Sequence, residues 1–250
     1  MVKRVLKGMI IPLFVYSNIF AQTTANIYGV NYFKPKEGKL EEYLAGLKDH
    51  TKKHHSKGIM KVRTYQVVSG EKSGWYVRVS GPLSWADVDK HQADTRSKAH
   101  AEHAAKYLRP YIEERIGTTY WSPLEDLAYN RNTSGKPSKM VRVNYTEVKP
   151  GMNSNYQDLR KQIKEAHQKT NSDASFGVGK MVLGGNKHIF ASFAPLDKWA
   201  DMAQTGPNLS SRFNKVFGDG AWNDFLNKAQ KINKKRYDEM RLYMEDYSTR

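Results

Sequence analysis

Polar and apolar positions alternate through Asn26-Ile27-Tyr28-Gly29-Val30-Asn31-Tyr32-Phe33, and aromatic and β-branched residues fill the segment, so it predicts a strand. Pro35-Lys36-Glu37-Gly38 predicts a turn. The period then becomes helical. Leu40, Tyr43, Leu44 and Leu47 share one face, His54 continues the stripe, and Gly58 ends it. Strands over 60–69 and 75–80, separated by Gly70 and Gly74, predict a hairpin. Ser84 with Asp87 three residues on marks a helix start. The helical region is expected to run toward Ile116, kinked at Pro110, and a last strand is expected over 118–129.

The chain then says the same thing again. Val30-Asn31-Tyr32, Lys36, Gly38, Tyr43 and His54 reappear as Val143-Asn144-Tyr145, Lys149, Gly151, Tyr156 and His167, at a constant offset of 113 residues. Gly70 and Trp85-Ala86-Asp87 reappear as Gly184 and Trp199-Ala200-Asp201, at an offset of 114. A solenoid repeat runs to roughly 20–50 residues. This repeat is the size of a small domain. In the second copy a helix is expected over 153–169, a hairpin over 176–193, a helical region from Trp199 and a closing strand over 240–247.

The order β-α-β-β-α-β, twice, is that of tandem ferredoxin-like repeats. One such sheet leaves a face uncovered. Two packed sheet to sheet cover each other, giving a single-chain, pseudo-dimeric α+β barrel with helices outside. The expected division is 22–129 for the first repeat, 130–138 for a linker and 139–250 for the second repeat. Residues 1–21 read as a signal peptide. Lys3, Arg4 and Lys7 precede an apolar run that is too short for a membrane span, and Ala21 offers a small residue for cleavage. Export to the periplasm or beyond is therefore expected, without stable membrane insertion.

There is no Cys, which excludes disulfides and thiolate chemistry. The net charge is +16; removing the three cations of the leader (16 − 3) leaves +13. The cations are scattered through both repeats, so a small anionic ligand or an acidic surface is a better partner than nucleic acid. A dinucleotide fingerprint, a phosphate loop and a nucleophile elbow are all absent from the sequence.

Histidine distribution breaks the symmetry. His50 and His54 sit at i,i+4, and His100 and His103 at i,i+3, and either pair could clasp a metal from one helix face. With no His-Glu-x-x-His motif and no carboxylates clustered with them, the expectation is surface histidines on Lys-rich helices and no metal centre. Trp85 and Trp199, kept in both halves, read most simply as core anchors.

The element order, the duplication and the matched positions resemble the dimeric α+β barrel superfamily. That superfamily includes the antibiotic-biosynthesis-monooxygenase-like and IsdG-type haem-degrading proteins. The resemblance implies a site built from an Asn on the first strand, a Trp at the start of the second helical region and a His further along it. In this chain the corresponding candidates are Asn31, Trp85, and His100 or His103 in the run from Lys98 to His103. His54, Tyr43 and Arg78 are candidate ligand-binding residues, His54 and Tyr43 sharing a helical column. Haem is the sharpest cofactor it implies. Two functions follow. One is a monooxygenase-like enzyme acting on an aromatic or planar anionic compound. The other is a non-catalytic envelope protein that binds an anionic ligand or acidic surface. Because both repeats lie on one chain, a monomer with internal pseudo-twofold symmetry is expected.

Overall fold

The alternating segment forms β1, Ile27–Pro35, and the amphipathic stretch after it forms α1, Leu40–His54. The computed structural model describes residues 26–131, 136–203 and 206–249. The expected leader over 1–21 lies outside them, as does part of the expected linker. The first half continues with β2 (Val62–Ser69), β3 (Tyr76–Leu83), α2 (Trp85–Thr95), α3 (Lys98–Tyr107) and β4 (Ile112–Pro123). The second half supplies β5 (Met140–Val148), α4 (Asn153–Lys169), β6 (Gly177–Leu183), β7 (Ile189–Leu196), α5 (Leu209–Phe217), α6 (Ala221–Ile232) and β8 (Asn233–Tyr243).

The eight strands close into one barrel in the order β1-β3-β2-β8-β5-β7-β6-β4, with β4 returning to β1. Every pairing is antiparallel. The halves join at two seams, β2 with β8 and β4 with β6. The expected α+β barrel is thus present on one chain, and closure leaves no free sheet edge. Alternate strand residues from both halves fill the interior, among them Val30, Tyr32, Val67, Val77, Val143 and Tyr145. The helices pack outside, over separate apolar clusters.

Several boundaries differ from the sequence expectation. The helical region after Ser84 does not reach Ile116. It splits at Arg96-Ser97 into α2 and α3, and β4 begins at Ile112, immediately past Pro110. Ser84 does cap α2, exchanging hydrogen bonds with Asp87. The last strand of each half starts earlier than expected, β8 at Asn233 rather than 240. Its charged start, Asn233-Lys234-Lys235-Arg236, carries no apolar alternation because those residues face solvent or sit at the barrel rim.

Candidate functional site

The first half holds a cavity of about 410 Å³ between its helices and the barrel wall. Asn31 and Arg78 face it from the sheet, His91 from α2, and His100 from α3; His55, Arg109, Glu113 and Arg115 are among the other polar groups of its lining. Asn31, Arg78 and His100 are therefore brought together. Asn31 is held in place because its Oδ1 accepts from Thr118 Oγ1 at 2.7 Å and from Arg115 Nη2 at 3.4 Å.

Arg78 is the dominant charge. Its guanidinium is buried and donates through Nη2 to Thr51 Oγ1 at 2.9 Å. Its Nε is buried without a partner. Among the described residues no carboxylate pairs with it, and burial lowers its pKa to about 10. A buried cation with an unpartnered donor beside a cavity is a group whose charge an anion could balance.

His55 and His100 belong to a histidine cluster that extends from this wall. The rings of His50, His54, His55, His100 and His103 pack together with contacting centroids 4.5–5.2 Å apart, some stacked and others tilted or edge-on. Four of the five are buried; His50 is 3% exposed, and His54 is half-buried. This corrects the expectation of surface histidines. The lysines of α1 and α3 occupy the outer faces, and the histidines occupy the seam where the two helices pack. Close approach at Gly46 makes that seam: a Cβ there would stand 1.8 Å from the Tyr107 carbonyl oxygen. Burial, then Arg78 and the neighbouring rings, pushes His50 down to about 2. Burial likewise pushes His55 far below the ordinary imidazole range, with Arg78 adding to it. His54 and His91 are lowered chiefly by burial. These four imidazoles are neutral near pH 7.

The remaining sequence candidates lie elsewhere. His103 and His54 belong to the cluster and do not line the cavity. Tyr43 is in the apolar core with Leu47, Tyr76 and Leu108, its hydroxyl unpartnered. Trp85 is 44% exposed and packs against Tyr120 at 5.7 Å, and Trp199 is 56% exposed. Both depart from the core-anchor reading, because each begins a helical segment on the surface. Sequence reasoning missed His55, His91, Asp49 and Asp94. His55 follows the end of α1, outside its periodicity; the other three are single polar residues that only the packing of α1, α2 and α3 brings to the cluster.

A second cavity, of about 280 Å³, opens into the barrel interior beside Tyr32, Trp121, Tyr145 and Arg241. Its buried polar groups satisfy one another. Arg241 donates to Glu239 and to both tyrosine hydroxyls, each at 2.6 Å. That closed network holds the barrel together and offers no open donor.

The haem implied by the resemblance finds imidazoles in the first-half cavity but no apolar slot. Most of the lining is polar or charged, including Arg78 with its open donor. A macrocycle covering the whole lining would strip most of those groups of water and pair at most the arginines, through its carboxylates, whereas a small anion covers only the ground around Arg78. The residues do not fit haem, and no step is derived through it.

No protein-family model and no curated protein matches the chain. Solved structures do. A candidate monooxygenase of Fusobacterium nucleatum subsp. nucleatum is 12% identical, with 89% of this chain and 94% of that chain covered and a TM-score of 0.57. An anthrone oxidase-like protein is 11% identical over 90% and 93% of the two chains, with a TM-score of 0.52. A mutant chlorite dismutase of Candidatus Nitrospira defluvii is 9% identical over 90% and 94%, with a TM-score of 0.52. At these identities the likeness is one of fold, and the chain has the dimeric α+β barrel fold in single-chain form.

Proposed function

We propose that the chain is an exported, monooxygenase-like enzyme that takes a small aromatic or planar anion into the helix–sheet cavity of its first half. One observation carries the reading: Arg78, a buried guanidinium with an unpartnered Nε, faces that cavity beside neutral histidines. Arg78 is the anion anchor, and Arg115 adds positive charge at the wall. His91 is the proton acceptor, because its Nε2 is buried without a partner and burial keeps it neutral. The monooxygenase-type and oxidase-like structural neighbours support an oxidative reaction. Export rests on the leader over 1–21. No helix among the described residues is long and apolar enough to cross a membrane.

The test is a titration with salicylate, a small aromatic carboxylate, at low and moderate salt. A pocketed anion is held by short charge-assisted contacts that salt screens poorly. The expected result is one-to-one binding that survives moderate salt and weakens more than tenfold in Arg78→Met. Affinity that collapses with salt and ignores Arg78→Met would instead support the non-catalytic reading, an acidic partner on the basic surface. Haemin should give no saturable Soret shift.

A further inference from the structure

We infer that His50, His55 and His100 form a binding site for a divalent transition metal, zinc in the first instance, on the inner wall of the first-half cavity.

The first observation is convergence. One ring nitrogen from each of the three lies within 4.8 Å of those of the other two, and all three side chains are buried. A tetrahedral zinc with Zn–N of about 2.0–2.1 Å needs nitrogens about 3.3 Å apart. Small ring shifts within the cluster would close the difference.

The second observation is the hydrogen bonding behind the rings. His55 Nδ1 lies 2.8 Å from the Met60 carbonyl oxygen, which only accepts, so Nδ1 carries the proton and Nε2 the lone pair. His100 Nδ1 lies 3.1 Å from Asp94 Oδ1, with the same consequence. His103 Nε2 donates to Asp49 Oδ2 at 2.9 Å, so in the neutral ring its Nδ1 is an acceptor. His50 Nδ1, 3.0 Å away, donates to it. Each of the three proposed ligands therefore has one nitrogen bound to an acceptor and the other bare. This is how proteins fix the tautomer and orientation of metal-binding histidines. His54 adds a further buried, unpartnered Nε2 beside them.

The third observation is the contrast with the second half. The residue matching His50 is Ile163, buried in an apolar cluster with Leu159, Phe213 and Phe225. The fold packs this seam with hydrocarbon where it needs only a core. Burying several neutral imidazoles in its place has a cost that a bound metal would offset.

The donor set is all imidazole, with no thiolate, which suits zinc, copper or nickel rather than magnesium or calcium. Three protein ligands leave a coordination position open, and His55 and His100 line the cavity into which it would face. Arg78 stands beside the cluster, so the charge there calls for an anion as the fourth ligand. With His100 on the metal, the proton-accepting role in the cavity falls to His91. Metal binding does not depend on the identity of the organic ligand, and its failure would leave the Arg78 reading intact.

The test uses the chain made without a polyhistidine tag and stripped of metal with a chelator. Zn2+ titration against a chromophoric chelator should show one tight equivalent that Mg2+ and Ca2+ do not displace. His50→Ile, which installs the residue of the second half, should keep the fold by circular dichroism and lose more than about 100-fold in affinity. Asp94→Asn, which removes a carboxylate behind a ligand, should lose about 10–100-fold. His188→Ala should change nothing. Independently of any variant, X-ray absorption of the zinc form should show imidazole nitrogens at about 2.0–2.1 Å. No saturable Zn2+ binding, full binding retained in His50→Ile, or an oxygen-dominated shell would each overturn the inference.

Discussion

The hydroxyls of Tyr32 and Tyr145, equivalent residues 113 positions apart, meet at 2.7 Å in the centre of the barrel. Arg241 and Glu239 bond to this pair, so one strand of the second half joins the repeats across their pseudo-twofold axis. Arg241 is held firmly charged by the two tyrosines and Glu239 despite its burial.

The network gives a first prediction. Tyr32→Phe or Tyr145→Phe should each cost about 1–3 kcal/mol, because each leaves buried donors or acceptors short of a partner. The two share partners, so the double variant should depart from additivity by about 0.5 kcal/mol or more. Urea unfolding of the four species checks this; strict additivity would show that the hydroxyls do not act together.

Closure on one chain gives the second. The eight strands leave no seam for a partner to complete, so sedimentation should find a monomer. An obligate dimer at micromolar concentration would contradict it.

Gly46 gives the third. Its counterpart in the second half is Leu159, a full-sized core residue, whereas Gly46 lets the end of α3 touch α1. Gly46→Ala should force the helices apart, cost about 1–3 kcal/mol as overpacking does, and weaken zinc binding through the displaced histidine seam. An unchanged melting temperature would show that the close approach is not required.

Much of this fold can be read in the sequence, and the cavity only in pieces. Strand alternation around Asn31, the helical stripe through Tyr43 and the offset of 113 lead to the barrel because period and repetition are local signals. The last strand of each half is obscured, since Glu113-Glu114-Arg115 and Lys234-Lys235-Arg236 read as helix formers at exposed rims. The spacing of His50 with His54, and of His100 with His103, is visible. That the pairs face each other depends on α1 meeting α3 at Gly46, which no local pattern encodes. Trp85 misleads for the converse reason: repetition at Trp199 suggests a core role, yet both rings lie at the surface.

Trp85 supplies the fourth prediction. Packed only against Tyr120 among the aromatic rings of the described residues, and outside the cavity lining, it should not affect ligand binding. Trp85→Ala should leave salicylate affinity within about twofold of wild type, whereas a direct ligand contact would show a larger loss.

His167 supplies the fifth. It lies between Tyr129 and Phe176, and burial, with Arg212 and Arg160 nearby, lowers its pKa. A group whose folded pKa is depressed stays neutral in the native state while the unfolded chain takes up a proton below about pH 6.5. Its share of stability is therefore present above that pH and lost below it. His167→Phe should flatten the fall in stability between pH 6.5 and 5 relative to wild type. An unchanged slope would show that His167 titrates alike in both states.

If chemistry resides in the first-half cavity, the histidines there must respond to a bound ligand. Six of the eight histidines lie in the first half, and His167 and His188 in the second. A histidine-selective proton–carbon NMR correlation spectrum, recorded as salicylate is added, reads all eight at once. The expected result is saturable shifts of His55, His91 and His100 that vanish in Arg78→Met, while His167 and His188 stay still. Shifts centred on His167 or His188, or shifts indifferent to Arg78→Met, would contradict it.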